Sequence, residues 1–428
     1  MIAVYHMVTS LLAPFVVPVF SIIAQFSKYK GKGLASHFGG VPEVPNDGRP
    51  TLWLCALSSG ELSSAIPVLK KIAGKRPDIR IIVSVTTDSG YEMARLKLDF
   101  VDRVFFHPID CLPFTWLALQ RTRPDLFVLM DTGFWPGFLH LLKVKGIPAV
   151  LLNGRMSSSS LRSYLKLRLL ISPTLNSFKM LCMQNENGVT SMLKLGVQKE
   201  KLQQVGDLKF DSAERVSETE RNRLRDIYKI RGDAIVWVAG STHEGEEEII
   251  AEVFQNLKQR FANLILILAP RRIERVDAVA KMLKRREIPF LLRSEFRRTG
   301  ARSADVVLLD TYGELARVYG IAQVAFVGNS LIAPGGGHSL IEPAIQGIPV
   351  LHGPHVENFT DSAHALGKTQ LTVEAKDGPE LEEKLAVLLQ NFGQLAKNAQ
   401  HLLEPFMGAS DRMSDLLLAS LPQPSNGS

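Results

Sequence analysis

Val324-Ala-Phe-Val-Gly-Asn-Ser-Leu-Ile-Ala-Pro-Gly-Gly-Gly-His-Ser-Leu-Ile-Glu-Pro-Ala344 reads as a buried strand, a glycine-rich turn and the opening of a helix. The strand ends at Val327, Gly328 and Gly335-Gly336-Gly337 follow, and a helix is expected over His338–Ile345. Such a turn brings free backbone N–H groups and the positive end of a helix dipole to one point, which suits a phosphate. Glu342, one turn in, is placed to accept hydrogen bonds from ribose hydroxyls. The plain alternative is a tight turn with a buried glutamate on the helix behind it.

Working outward, the same alternation fills the second half. Strands are expected at Ile235–Ala239, Leu264–Leu268, Phe290–Leu292, Val306–Leu309 and Val324–Val327, with helices at Glu246–Phe261 and Val276–Arg286. The first half repeats it, with strands at Leu52–Leu57, Ile79–Val85, Val104–His107, Leu126–Met130 and Ala149–Leu152 and helices at Leu62–Ile72 and Tyr91–Leu98. Strand–helix alternation implies parallel sheets covered by helices on both faces. Gly206-Asp-Leu-Lys-Phe-Asp211 and the charged stretch Ser212–Arg231 separate the two series. The expected fold is therefore α/β: two doubly wound, Rossmann-like domains, 27–212 and 213–421, facing across a cleft in the GT-B arrangement. A membrane anchor, 1–26, precedes them and a disordered tail, 422–428, follows. A chain of 428 residues suits two domains of roughly 100–200 residues, and its 46% apolar and 22% charged content is globular.

Ligands in such sheets sit beyond the carboxyl ends of the strands, so residues just past apolar runs are the candidates. In Ala239-Gly-Ser-Thr-His-Glu-Gly-Glu-Glu-Glu248, Ser241 or Thr242 can cap the next helix and the acidic run can stabilise its start. Ser241 and His243 could equally touch a donor phosphate or sugar. Leu268-Ala-Pro-Arg-Arg-Ile-Glu-Arg275 puts arginines where forked hydrogen bonds can clamp phosphate, or else forms a solvated basic loop. In Asp310-Thr-Tyr-Gly-Glu-Leu315, Glu314 is a helix N-terminal carboxylate or an acceptor for sugar hydroxyls. In the first half, Ser58-Ser59-Gly60-Glu61 offers Glu61 as a general base, or as a partner of the helix start. Asp131, closing the strand Leu126–Met130 ahead of Thr132-Gly-Phe-Trp-Pro136, would be a second acid on the same side. No paired aspartates of metal-binding type are evident, so arginine and helix dipoles are expected to meet the charge on a leaving nucleotide.

From Ile2 to Phe26 no side chain carries a fixed charge, and Lys28, Lys30 and Lys32 follow. The run is long enough to cross about 30 Å of hydrocarbon, and the lysines place its C-terminal side in the cytoplasm. Pro14 and Pro18 weaken a straight spanning helix and leave an interfacial anchor open. The net charge of +7 fits an acidic partner, and no nucleic-acid-binding signature accompanies it. Cys55, Cys111 and Cys182 are too few and too widely spaced for a disulfide framework or zinc site, which points to a reducing compartment.

Taken in order, these segments resemble the Kdo (3-deoxy-D-manno-octulosonic acid) transferase family. The matching stretches are Ser59-Gly60-Glu61, Thr86-Thr-Asp-Ser-Gly90, His107-Pro-Ile-Asp110, Arg123-Pro-Asp125, Trp135-Pro136, Asn153-Gly-Arg-Met-Ser157 and Gly206-Asp-Leu-Lys-Phe-Asp211. Those of the second half are Ser241-Thr-His-Glu-Gly-Glu246, Pro270-Arg-Arg-Ile-Glu-Arg275, Asp310–Leu315, Gly328–Pro343 and Gly353-Pro-His-Val-Glu-Asn-Phe359. The resemblance implies a GT-B fold and inverting, metal-independent transfer from CMP-Kdo to a lipid A precursor (lipid IVA) in lipopolysaccharide biosynthesis. It implies work at the cytoplasmic face of the bacterial inner membrane, with no cofactor. Glu61 matches the family's base, and Ser241, Arg271, Glu314, Asn329, Gly336, His338, Glu342 and Asn358 match its CMP contacts.

The chain also departs from the family. Asp131-Thr-Gly-Phe-Trp-Pro-Gly137 stands where the family has Glu-Thr-Glu-Leu-Trp-Pro-Asn, Ser339 replaces an asparagine after His338, and Gly206-Asp207 replaces Gly-Asn. Two other readings follow: a catalytically weakened paralogue that binds a nucleotide sugar at the membrane, or a nucleotide-sugar epimerase of the same two-lobed architecture.

Overall fold

The computed structural model describes residues 1–24, 26, 33–296 and 303–422. Lys28, Lys30 and Lys32, and positions 423–428 of the expected tail, lie outside the described residues. The chain divides into two compact units, one built from Met1–Ser212 with the segment from Phe406 onward, the other from Ala213–Pro405.

The first unit holds a parallel sheet of β1 (Thr51–Ala56), β2 (Arg80–Val85), β3 (Arg103–Phe106), β4 (Leu126–Met130), β5 (Ala149–Gly154), β6 (Met180–Met183) and β7 (Leu202–Gln204). Its strand order is β3-β2-β1-β4-β5-β6-β7. Side chains alternate between faces along a strand, and β1 shows the consequence. Leu52, Leu54 and Ala56 join the core under the helix Ser59–Lys75, while Trp53 and Cys55 join the core on the other face. Being buried on both faces is what makes such a strand read as a continuous apolar run. Cys55, Cys111 and Cys182 are all buried free thiols.

The second unit repeats the design with β8 (Ile235–Thr242), β9 (Leu264–Pro270), β10 (Phe290–Leu292), β11 (Val306–Leu308), β12 (Val324–Val327), β13 (Val350–His352) and β14 (Thr372–Glu374). The order is β10-β11-β9-β8-β12-β13-β14, again parallel. The strand order reverses between β1 and β4 in the first sheet and between β8 and β12 in the second. Those two switch points are where doubly wound sheets open a crevice for ligands.

The second domain was expected to run to residue 421, but the chain returns to the first unit at Phe406. Ala409, Met413 and Leu417 repeat every fourth residue, so the helix Ala409–Leu418 presents one apolar stripe, which shares a core with Leu62 and Leu69 of the helix Ser59–Lys75. The Asp211 carboxylate accepts from the backbone N–H of Gly408 at 2.8 Å, and Lys75 pairs with Asp415 at 2.6 Å. Sequence continuity hid this crossing, because a stripe of that length fits either core.

Residues Ile2–Ala24 form one helix despite Pro14 and Pro18. Its 23 residues reach about 34 Å at 1.5 Å each. By length and composition it is apolar enough to cross a membrane, and little of its surface is buried in the protein. Near its start the Tyr5 hydroxyl donates to Asp110 Oδ2 at 2.7 Å.

Candidate functional site

The first half-site gathers beyond the carboxyl ends of β1, β4 and β5. Ser58 caps the helix Ser59–Lys75 by accepting from Glu61 N–H, and Glu61 Oε2 accepts from Leu57 N–H at 2.7 Å. Glu61 thus serves the helix start and also stands at the switch point. Burial raises its carboxyl to about 7, with the Leu57 N–H pulling down and Asp131 pushing further up. A carboxyl that titrates near neutrality can exchange a proton at physiological pH.

Asp131 follows β4 in the left-handed region, φ 53°. Its Oδ1 accepts from Asn153 Nδ2 at 3.1 Å, and Arg155 Nε lies 3.5 Å from Oδ2. Burial raises its pKa, while Arg155 and Lys209 pull it down. Asn153 also sits left-handed, φ 57°, and its Oδ1 accepts from Leu208 N–H at 3.0 Å. Burial raises Asp207 as well. Asn153, Arg155 and Asp207 were quoted within sequence motifs without a role. Nothing in their local spacing revealed that two separate segments, Asn153–Arg155 and Asp207–Lys209, meet Asp131.

Two of the departures acquire reasons here. A Cβ at Gly133 would meet Leu57 Cδ1 at 2.0 Å, so Leu57 occupies the space a longer side chain would need. A Cβ at Gly137 would meet Asp110 Oδ1 at 2.7 Å and Tyr5 and His6 at 3.1 Å. Gly137 is where the N-terminal helix rests, and its N–H donates to Asp110 at 2.9 Å.

The second half-site lies at the β8–β12 switch point. Ser241 and Asn329 end their strands in the left-handed region, φ 55° and 57°. The loop after β12 is braced by Glu246, which is 1% exposed. Its Oε1 accepts from Ser330 and Leu331 N–H at 2.9 Å each, its Oε2 from Asn329 at 2.7 Å and His243 at 2.9 Å. Sequence reasoning gave this glutamate only a helix-start role. The signal for more was its place three residues after His243, close to two strand ends.

His243 and His338 stack, ring centroids 5.3 Å apart. Burial lowers His338 to about 4, helped by Arg271 and His243, and its buried Nε2 has no hydrogen-bond partner among the described residues. Glu342 keeps its side chain open to solvent, yet the protein massed around it raises its carboxyl, with Arg271 pulling the other way. Asn358 packs against Gly336, whose C=O accepts from Asn358 N–H at 3.0 Å; a Cβ at Gly336 would meet Asn358 Nδ2 at 2.4 Å. The half-site therefore brings together Ser241, Arg271, Asn329, Gly336, His338, Glu342 and Asn358. Glu314 is otherwise engaged: Arg293 Nε donates to it at 2.8 Å and Tyr228 Oη at 3.1 Å.

The expected helix from His338 is corrected. Helical backbone covers only Ile341–Ala344, since Pro343 follows so closely that no longer run of N–H bonds can form behind the turn. The dipole argument for a phosphate falls away. What remains is Arg271 and the backbone N–H groups of His338 and Ser339, which make no hydrogen bond among the described residues.

Two doubly wound units, each with its polar side chains collected at the switch point of its sheet, define the GT-B class of α/β enzymes. The same architecture is found in the crystal structure of UDP-GlcNAc 2-epimerase from Neisseria meningitidis, with a TM-score of 0.59 over 86% of this chain and 100% of that one. At 15% sequence identity that likeness is one of fold. Residues 32–212 match the family described as 3-deoxy-D-manno-octulosonic-acid transferase. The 3-deoxy-D-manno-octulosonic acid transferase of Haemophilus influenzae is 32% identical over 377 residues, 86% of each chain. That of Chlamydophila psittaci is 31% identical over 78% of this chain and 76% of its own. The chain belongs to the 3-deoxy-D-manno-octulosonic acid (Kdo) transferase family and is a glycosyltransferase.

Proposed function

We propose that the chain moves Kdo from CMP-Kdo to a lipid A precursor, lipid IVA, with inversion and without a metal, at the cytoplasmic face of a bacterial inner membrane. The observation that carries this reading is the Glu61 carboxyl, raised to about 7 at the switch point of the first sheet. In the proposed step Glu61 takes the proton of an acceptor hydroxyl. The hydroxyl oxygen bonds to the anomeric carbon, and the bond from that carbon to the CMP phosphate oxygen breaks on the opposite face. The electron pair leaves with CMP, whose phosphate is met by Arg271 and the N–H groups of His338 and Ser339. Asp131, held by Asn153 and Arg155, orients the acceptor.

In the donor half-site, Ser241, Asn329, Gly336, His338 and Asn358 line the CMP, with Glu342 on its ribose. Glu314 acts through its Arg293–Tyr228 cluster, which fixes the start of the helix Leu315–Val318 beside Gly240. Neutral His338 leaves its unpartnered Nε2 for the ligand. The membrane role is supported by the apolar helix Ile2–Ala24, whose Leu11 and Phe15 are exposed, and by Leu165, Leu167 and Leu169, exposed among Arg162, Lys166 and Arg168. Exposed leucines among basic residues suit an anionic lipid surface.

The test is incubation of the full chain with lipid IVA and CMP-Kdo generated in situ, with and without EDTA, followed by mass spectrometry of the lipid. Lipid heavier by one or more Kdo units in both arms is expected. Unchanged lipid alongside tight CMP binding would favour the weakened paralogue, and loss of transfer in EDTA alone would overturn the metal-independent step.

A further inference from the structure

The second unit contains a cavity of about 260 Å³ that the transfer reaction does not use. Arg215, Arg221, Arg225, Gln323, Gln346 and Phe392 line it, together with small and aliphatic residues. Gln323 immediately precedes β12, whereas the glycine-rich loop leaves the other end of that strand. Four residues of strand, about 13 Å at 3.3 Å each, separate the two. The cavity is therefore distinct from the nucleotide half-site.

Three guanidinium groups around one small space repel each other unless an anion compensates them. Little in the protein does so. Arg225 is held by backbone carbonyls, donating to Arg231 O at 2.7 Å. Among the described residues Arg221 has one carboxylate within ion-pair reach, the exposed Glu218, 3.5 Å from Nη1, and its buried Nε has no hydrogen-bond partner. Arg215 makes no ion pair among the described residues. Glu220, a second carboxylate on the helix Glu218–Ile227, is taken by Arg317 at 2.6 Å and Arg223 at 3.5 Å. Phe392, partly buried, adds a flat apolar wall. The buried Gln346 accepts from Val216 N–H at 3.0 Å and donates to Glu214 O at 2.9 Å, so it pins the segment that carries Arg215.

We propose that this cavity binds a sugar monophosphate, with the phosphate between Arg215 and Arg221 and the sugar ring against Phe392. Forked guanidinium donors match a phosphate monoester, and the unpartnered Nε supplies a donor already stripped of water. The cavity has room for one phosphate and one ring.

Calorimetry on the full chain in detergent tests this, with ribose 5-phosphate as the probe. It should bind even when the nucleotide half-site is saturated with CMP. Arg221→Gln and Arg215→Gln should each weaken it roughly tenfold; Arg271→Ala should leave it unchanged. Phe392→Ala should weaken ribose 5-phosphate towards the affinity of inorganic phosphate. Arg215 is exposed, so its variant tests the charge without threatening the fold. Hydrogen exchange over residues 213–217 should slow when the probe is bound. Displacement of the probe by CMP, or undiminished binding by both arginine variants, would overturn the site. Equal affinity for inorganic phosphate in the wild type would overturn the sugar class. The outcome does not depend on which donor or acceptor the enzyme uses.

Discussion

At the switch point of the first sheet stand two carboxyls, Glu61 and Asp131, both raised by burial, Glu61 pushed further up by Asp131 and Asp131 by Asp207. At the switch point of the second stand Arg271 and a His338 kept neutral by burial and by that arginine. The backbone device is the same in both. Asp131 and Asn153 in one unit, and Ser241 and Asn329 in the other, end strands at φ between 53° and 57°. That region is uncommon for residues with a Cβ and persists only where surrounding structure enforces it. One fold has thus been given opposite character: buried carboxyls at one switch point, an arginine and a neutral histidine at the other.

The sharpest way to break the second place is through its brace. Glu246→Gln keeps the shape but turns one oxygen into an NH₂ facing two N–H donors. Two buried N–H groups without acceptors, at about 1–3 kcal/mol each, should cost roughly 2–6 kcal/mol of stability. Thermal unfolding should show the loss, and CMP binding should fall with it. An unchanged melting temperature would mean that the loop holds its form without the carboxylate.

Glu61→Gln tests the first place. Turnover should fall by about a hundredfold or more while CMP affinity stays near wild type. The base works as carboxylate, so wild-type turnover should be low below pH 7, rise as pH passes about 7, and level off above it. The variant should lose that limb. A wild-type profile flat across about one pH unit either side of 7 would separate Glu61 from the proton transfer.

Within the second half-site, Arg271→Ala and Glu342→Ala should each weaken CMP by roughly ten- to a hundredfold, for different reasons. Loss of a phosphate partner should flatten the salt dependence of binding. Loss of a ribose partner should not change that slope, but should remove discrimination against 2′-deoxy or 3′-deoxy CMP. Wild-type protein that binds all three nucleotides equally would leave Glu342 as a helix residue.

How much of this was legible depended on how local the physics is. β12, Val324–Val327, is readable to the residue because a buried parallel strand is an apolar run with sharp ends, and β10, Phe290–Leu292, because its three residues are all apolar although it is a half-buried edge strand. β7, Leu202–Gln204, was not, since this edge strand is only partly covered and reads as polar loop. Glu61 was legible because a cap, a glycine and an acid after a strand form a local pattern. The roles of Asn153 and Glu246 were not, because each acts through hydrogen bonds to chain distant in sequence, up to 85 residues away for Leu331. Even the ordered motifs that mark the family carry no such information about contacts.

The smallest effect expected concerns the departure at Gly137, and it asks whether the first half-site is shaped by the N-terminal helix. Gly137→Asn restores the residue type the family pattern has there. Its Cβ would meet Asp110 Oδ1 at 2.7 Å and the rings of Tyr5 and His6 at 3.1 Å, so either the Asp110 carboxylate or the helix must give way. Asp110 is fixed by three donors, Tyr5 Oη at 2.7 Å and the N–H groups of Gly137 at 2.9 Å and Phe138 at 2.7 Å. The helix is tied to Asp110 by Tyr5 alone, with Thr9 O accepting a long bond from Cys111 Sγ at 3.4 Å beside it, and should be the part that moves. Overpacking of this kind costs about 1–3 kcal/mol. Hydrogen exchange over residues 5–12 should rise, and turnover should change less than with Glu61→Gln, because Glu61 and Asp131 keep their partners. Tyr5→Phe removes the same tie without the bulk and should reproduce the exchange while sparing the melting temperature. Unchanged exchange in both variants would show that the Tyr5–Asp110 tie does not hold the helix.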